Sequence, residues 1–328
     1  MADGRVVFAV DLGGTRMRGA LISPDGGILM RDAVPTQPSR GEPAAMRRLA
    51  GLLDRMTAAT PGVEVVGVGM ALAGPVDPVA ATVHNPPNLP TWDGTSPTGD
   101  LSANVGLPAW VHNDASLAAL GEYVYGIGRD VRHLVMVTVG TGVGGGLVLD
   151  GVVYGGLRGF AGEIGHLVVE PNGPPCPCGG CGCLEVMASG TALARMARER
   201  LESVEPSIVL SMARGELSRV RAETLVRAEA RADRLAGEVL RAGGRYLGVG
   251  IATLRSVLDP ELIVIGGGVA GNSHVFWPAM AEAARKHGMR GDKSALPVTP
   301  TALGDDAGLL GAAAMAWGEL GVGPSYLK

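Results

Sequence analysis

All four cysteines of the chain, Cys176, Cys178, Cys181 and Cys183, fall within eight residues of one another. Core packing gives no reason to crowd thiols in this way. A soft, four-coordinate metal does, because zinc takes thiolate and imidazole ligands in a tetrahedron. Nine residues lie between His166 and Cys176, one between Cys176 and Cys178, and four between Cys178 and Cys183. That spacing suits a knuckle closed by one distant imidazole, a site of three thiolates and one histidine made by His166, Cys176, Cys178 and Cys183. Cys181 leaves an all-cysteine set open on paper, with His166 free, and a disulfide-rich loop is the third reading. Four protein ligands leave no position for water, so the expected role of the metal is structural. Glu163 and Glu185 bracket the cluster, which ties the structural site to what reads as a substrate site.

Three glycine-rich turns follow strand-like runs. Asp11-Leu-Gly13-Gly14-Thr15 closes the run Arg5 to Val10. There the glycines let backbone N–H groups approach an anion, Thr15 adds a hydroxyl, and the carboxylate can hold a cation or its waters. Gly140-Thr141-Gly142 repeats the chemistry, and Gly266-Gly267-Gly268 offers a third close backbone approach suited to a nucleotide. An Asp-Gly-Gly turn by itself is more often a plain β-hairpin than a nucleotide site. Two such turns at matching places describe two loops closing on one polyphosphate.

His112-Asn113-Asp114 joins a strand-like run to a helical one. Asn and Asp are favoured helix N-caps, which is the plain reading. The chemical reading has Asp114 accepting the proton of a hydroxyl nucleophile as its bond to phosphorus forms. A carboxylate with a reference pKa of about 3.9 cannot ionise an alcohol in advance. The two readings are compatible if Asn113 caps or binds ligand while Asp114 faces a cleft. Asn85-Pro-Pro-Asn88 is a proline-stiffened loop carrying two amides. It is either a turn-rich connection or a paired donor and acceptor for sugar hydroxyls.

The elements that must position these groups can be read from periodicity. Arg5–Val10, Met17–Ile22 and Ile28–Met30, joined by turns, make an antiparallel meander. A helix is expected over 43–60, with Met46, Leu49, Leu53 and Met56 on one face. A strand over 63–71 follows. The plan then repeats: a strand over 133–138, the Gly140 turn, Leu147–Leu149 pairing back, an Asp150-Gly151 hairpin turn and Val152–Tyr154. Two meanders, each with a Thr/Gly turn after its first strand, suggest an internal duplication. The stretch 185–248 is helical in period, 262–265 is a strand, and 306–320 is an apolar helix.

With 328 residues, 46% of them hydrophobic and only 4% aromatic, the chain has material for two domains with Ala/Val/Leu/Ile cores. Its net charge of −4 gives no basic surface for nucleic acid or anionic membranes. The uncharged run 134–149 is broken by Thr and Gly and reads as strand-turn-strand, not a membrane span. No signal-peptide pattern opens the chain, and a cytoplasmic location is expected. In that compartment clustered cysteines favour metal over disulfides.

Taken together, Asp11-Leu-Gly-Gly-Thr15, the Asn88-Leu-x-x-Trp92 loop, Asn113-Asp114, Gly140-Thr-Gly142, Glu163-x-x-His166, Cys176-x-Cys178-Gly-x-x-Gly-Cys183-x-Glu185 and Gly266-Gly-Gly268 resemble the ROK family of repressors and sugar kinases. The resemblance spans nearly the whole chain and is strongest to its zinc-containing glucokinases. It implies an α/β fold of two actin/hexokinase-like (ribonuclease H-like) domains with a nucleotide and sugar cleft between them. The division expected is 1–113 plus 305–328 for a small domain closed by the C-terminal helix, and 114–304 for a large domain carrying the zinc loop. It implies sugar contacts from Asn88, Asn113, Asp114, Glu163, His166 and Glu185, with Asp114 the base for the 6-hydroxyl of glucose. ATP phosphates and Mg2+ fall to Asp11, Gly13, Gly14, Thr15 and the Gly140-Thr141-Gly142 turn, and adenine to the region of Gly266, Gly267 and Gly268. Zinc falls to His166, Cys176, Cys178 and Cys183, with the second ring nitrogen of His166 left for a sugar hydroxyl. Family members are usually homodimers or homotetramers. Its repressors carry a DNA-binding helix-turn-helix ahead of the Asp-Gly-Gly-Thr region, where only ten residues stand here. The expected partners are therefore a small sugar and a nucleotide, with no nucleic acid and no membrane. Kinases for other hexoses or N-acetylhexosamines, and a non-catalytic sugar sensor, are the alternatives. Cys181 is extra to the motif, and Arg16 stands where many members carry Lys or Asn.

Overall fold

The structure, a computed structural model, describes residues 4–77, 80–84, 86, 88–203, 206–271, 273–289 and 295–327. Asn85, one of the two loop amides singled out above, lies outside the described residues. Strands β1 (Arg5–Leu12), β2 (Arg16–Ile22) and β3 (Ile28–Pro35) form the expected meander. Then come α1 (Glu42–Ala59), β4 (Glu64–Leu72), the short pair β5 (Val76–Asp77) and β6 (Thr82–Val83), and α2 (Pro97–Val105). Next are β7 (Ala109–Asn113), α3 (Asp114–Val124), β8 (Leu134–Val139), β9 (Val143–Leu149) and β10 (Val152–Val153). Helices α4 (Leu184–Ala188), α5 (Gly190–Glu202), α6 (Val209–Met212), α7 (Ala222–Glu229) and α8 (Arg234–Leu258) follow. The described chain closes with β11 (Leu262–Gly266), α9 (Gly268–Gly271), α10 (Phe276–His287), β12 (Val298–Pro300) and α11 (Ala307–Glu319).

Two five-stranded sheets have matching orders, β3-β2-β1-β4-β7 and β10-β9-β8-β11-β12. Each places its meander at one side and its later strands at the other, as an internal duplication requires. In the first sheet β2 runs antiparallel to β1 and β3, whereas β4 runs parallel to β1 and β7 parallel to β4. The Asp150-Gly151 turn has φ of 51° and 80°, the left-handed pair a tight two-residue hairpin needs.

By compactness the chain divides into two units: 1–136 with 146–162 and 301–328, and 137–145 with 163–300. The division expected at Asn113/Asp114 falls at the β7–α3 junction, whereas the first unit runs on to Met136, with α3 packed on α11. In that unit, strand alternation builds three layers. Val68, Met70 and Leu72 of β4 join the core that α1 fills with Met46, Leu49, Leu53 and Met56. The intervening Gly67, Gly69 and Ala71 turn the other way, and their small size lets α11 lie close against the strand.

In the second unit the helical stretch expected over 185–248 is broken into five helices. Ser189 and Asp233 each accept a hydrogen bond from the backbone N–H three residues on and so start α5 and α8. Helix α8 runs ten residues past Gly248, and its residues Gly243, Gly244 and Gly248 let α10 pack closely against it. No described helix is long and apolar enough to cross a membrane.

Candidate active site

Seven of the sequence-selected positions, Asp11, Gly13, Gly14, Thr15, Asn88, Asn113 and Asp114, belong to the first unit. Asp11 lies near the end of β1, and the β-turn after it is closed by Gly13 N–H donating to the Arg16 carbonyl at 3.1 Å. Thr36 ties that turn down: its hydroxyl donates to the Gly13 carbonyl at 2.6 Å, and its N–H donates to the Thr15 carbonyl at 2.9 Å. Gly14 backs onto Asn88, whose Cβ lies only 2.6 Å from where a side chain at Gly14 would begin. The expected phosphate turn and sugar-loop amide are therefore neighbours. Asn88 is exposed, as are Thr15 and Arg16.

Asn113 fills the capping role proposed for it. Its Oδ1 accepts from Ser116 N–H at 2.9 Å, while its Nδ2 donates to the Gly74 carbonyl at 3.1 Å and to Asp114 Oδ1 at 3.1 Å. Asp114 is the first residue of α3, and its Oδ1 also accepts from Ala115 N–H at 2.8 Å. A carboxylate at a helix N-terminus sits in the favourable end of the helix dipole. The cap needs only the Asn113 side chain and does not use the Asp114 carboxylate. The adjacent His112 is buried, and burial pushes its pKa down to about 4. Its Nδ1 accepts from Asn113 N–H, so the imidazole is neutral.

The second unit carries the other turns. Gly140–Gly142 is fixed to the start of α5: Gly190 N–H donates to the Gly140 carbonyl and the Thr191 hydroxyl to the Thr141 carbonyl, both at 2.8 Å. Gly267 lies with φ of 91° over the backbone of Val139. Between these turns is a cavity of about 480 Å³ lined by Gly140, Thr141, Thr191, Arg198, Arg221, Glu223, Gly268 and Val269. Gly268 and the Gly140–Thr141 turn thus line one pocket. Thr191, Arg198, Arg221 and Glu223 were not singled out from the sequence. They lie in polar helical stretches without a motif, and only folding brings them to the turns.

Glu185 reaches from α4 to the phosphate-type turn. Its Oε2 accepts from Val143 N–H at 3.0 Å and lies 2.4 Å from where a Cβ on Gly142 would stand. A side chain at Gly142 would therefore push the Glu185 carboxylate from its present place. Glu163 Oε2 is 3.9 Å from His166 Nε2. Its pKa is raised mainly by burial; the His166 ring opposes that rise and the Glu185 carboxylate adds to it.

His166, Cys176, Cys178 and Cys183 present ligand atoms all within 4.8 Å of one another and could hold a metal ion. The Cys176 Sγ to His166 Nδ1 and Cys178 Sγ to Cys183 Sγ separations are both 3.7 Å. Thiolates about 2.3 Å from a tetrahedral zinc stand about 3.8 Å apart, so the donor set fits that ion in type and spacing. The loop is held independently by bridges pairing Val168 with Cys183 and Pro175 with Cys181. Cys181 turns its thiol to the Pro171 carbonyl at 3.3 Å and is outside the group. All four cysteines are free thiols.

A model of the ROK family matches residues 7–319, and the chain belongs to that family. It is 34% identical to a glucokinase of Thermotoga maritima, across 94% of this chain and 96% of that protein. It is 33% identical to an N-acetylmannosamine kinase of Escherichia fergusonii, across 95% and 98% of the two chains. In structure it is similar to a ROK glucokinase from Streptomyces griseus in complex with glucose and AMPPNP. That likeness has a TM-score of 0.83 at 32% identity and covers 95% of this chain and 99% of that one. The expected α/β fold of the actin/hexokinase-like class is therefore that of the protein.

Proposed function

We propose that this protein is a sugar kinase that transfers the γ-phosphoryl group of ATP to the 6-hydroxyl of D-glucose. The observation that carries the reading is the hydrogen bond from Val143 N–H to Glu185. It joins the Glu163, His166 and Glu185 group to the Gly140–Gly142 turn of the nucleotide pocket. In this reading part of the sugar site is tied directly to the nucleotide turn, as positioning for an in-line transfer demands. Its likeness to glucokinases across nearly the whole chain, one of them in complex with glucose and AMPPNP, supports glucose and ATP as the substrates.

In this reading Asn88, Asn113, Asp114, Glu163, His166 and Glu185 bind the sugar hydroxyls. As the sugar oxygen bonds to the γ-phosphorus and the bond to the β-phosphate oxygen breaks, Asp114 takes the hydroxyl proton and ADP leaves. Asp11 would hold Mg2+, which supplies positive charge to the phosphates when bound; Gly13, Gly14, Thr15 and the Thr141 turn give backbone donors. His166, Cys176, Cys178 and Cys183 would hold zinc, whose role is structural. The His166 ring, with Nδ1 toward Cys176 and Nε2 toward Glu163, is divided as that arrangement needs.

The test is a panel of glucose, mannose, fructose, N-acetylglucosamine and N-acetylmannosamine with ATP or polyphosphate, read by ADP or phosphate release and product mass. Glucose 6-phosphate from ATP is the expected main product. Faster turnover of N-acetylmannosamine would replace glucose as the substrate, and no turnover on any sugar would favour a sensor. Asp114→Ala should lower kcat by at least about a thousandfold while calorimetry still detects glucose binding. Retained turnover would remove Asp114 from the mechanism.

A further inference from the structure

Asp11 and Arg18 are directly opposite each other across β1 and β2, so their side chains share one face of the sheet. Arg18 Nε donates to Asp11 Oδ2 at 3.0 Å, and Nη2 donates to the same oxygen. The same Nη2 donates to the Asp305 carbonyl at 2.7 Å, in the turn that leads into α11. The guanidinium is thus held from two sides, with both donors converging on a single carboxylate oxygen. Asp11 Oδ1 takes no hydrogen bond from any described residue, and the Asp11 side chain is 25% exposed. Asp306, the other acid of that turn, is paired with Arg31 at 3.0 Å.

We propose that Arg18 is a resident counter-ion that competes with a divalent cation for Asp11, and so sets how strongly the cation binds there. The inference rests on the reading of Asp11 as the cation-holding residue of a kinase. An arginine cannot relieve the competition by losing its proton. A dication arriving at Oδ1 meets a guanidinium charge on the neighbouring oxygen, and like charges so close oppose each other. Arg18 therefore weakens the affinity of Asp11 for a free cation. A polyphosphate arriving with the cation offers the guanidinium a second anionic partner, which lifts the opposition. The arrangement favours the cation that comes with its nucleotide over the cation alone.

Binding of free Mn2+ to the zinc-loaded protein, followed by electron paramagnetic resonance without sugar or nucleotide, tests this directly. Arg18→Ala and Arg18→Gln should bind Mn2+ about 3- to 10-fold more tightly than the unaltered chain, the range being narrowed by solvent screening. Arg18→Lys, which keeps the charge, should stay within about twofold, and Asp11→Asn should abolish the binding. The gain should shrink as ionic strength rises. Thermal melts establish that each variant is folded, and Arg18→Gln keeps the test open if Arg18→Ala is not. Equal or weaker Mn2+ binding by the neutral variants, or binding that survives Asp11→Asn, would overturn the proposal. Because neither substrate is present, a protein that proved not to phosphorylate glucose would leave this result standing. In an active enzyme with ATP saturating, the half-saturating Mg2+ concentration of Arg18→Gln should change by less than about twofold, because the nucleotide phosphates already occupy the guanidinium.

Discussion

Two buried ionisable side chains of the first unit pull its stability in opposite directions with pH. His112 is shifted down to about 4 by burial, and Glu42 is shifted up to about 7 by burial and by the Asp100 carboxyl beside it. As pH falls from about 6.5 toward 4, the unfolded chain binds a proton at His112 that the folded one refuses, and stability is lost. As pH rises from about 4.5 toward 7, the folded chain keeps a proton on Glu42 that the unfolded one releases, and stability is again lost. Between about 4.5 and 6.5 the two slopes cancel. Glu42→Gln should unmask the His112 slope, so that this variant loses up to about 1.4 kcal/mol per pH unit relative to the unaltered chain on acidification through that window. Urea unfolding at pH 5 and 6.5 measures it. Identical pH slopes in the two proteins would show that Glu42 is not proton-bearing in the fold. Asn113 and Asp114 could be read as a helix start from residue type alone, whereas the His112 burial beside them could not. It depends on neighbours more than thirty residues away, such as Gly155 near its ring.

At the scale of elements, the segment from Glu163 to Glu185 acts as one unit. The cysteine knuckle ends at Cys183, Leu184 N–H donates to the Leu167 carbonyl at 2.8 Å, and α4 begins there with Glu185 in its first turn. Without metal, burial pushes the Cys183 thiol up to about 12 and holds Cys176 above its ordinary value, whereas the Gly180 backbone N–H lowers Cys178, so binding a metal must displace protons from the two buried thiols. Stripping the metal with a chelator under reducing conditions should lower Tm by roughly 5–15 °C and weaken glucose binding by at least about tenfold. Calorimetry and a melt on the same sample read both. Loss of the metal with glucose binding unchanged would separate the knuckle from the sugar site. The knuckle was legible because its ligands are close in sequence. The spacing also favoured His166 as the fourth member, but it left an all-cysteine set with Cys181 open, because which side chain the loop turns inward is decided by folding.

For the whole first unit, the critical packing is α11 against α3 and β4. A Cβ at Gly311 would stand 1.7 Å from the Leu117 carbonyl oxygen, because the two helices touch backbone to backbone. Gly308, one turn earlier, has nothing nearer than the Ala71 Cβ at 4.0 Å. Gly311→Ala should cost at least about 3 kcal/mol. Gly308→Ala should be neutral or stabilising by up to about 1 kcal/mol, since alanine is the better helix former. Denaturant unfolding compares them, and equal stabilities would mean that the helices are not in backbone contact.

By itself the sequence determined whatever depends on neighbours along the chain. The meanders, the amphipathic first helix, the glycine turns, the Asn113 cap and the spacing of the metal ligands all follow from local periodicity and residue type. Only the tertiary structure decided which distant groups meet. Asp11 with Arg18 and the Asp305 carbonyl, Glu185 with Val143, Thr36 with the Gly13 turn, and Arg198, Arg221 and Glu223 with the nucleotide turns are all of this kind. The physical reason is that a hydrogen bond or a cavity wall requires proximity in space. Proximity between residues far apart in sequence is set by how sheets and helices pack, and no local pattern encodes it.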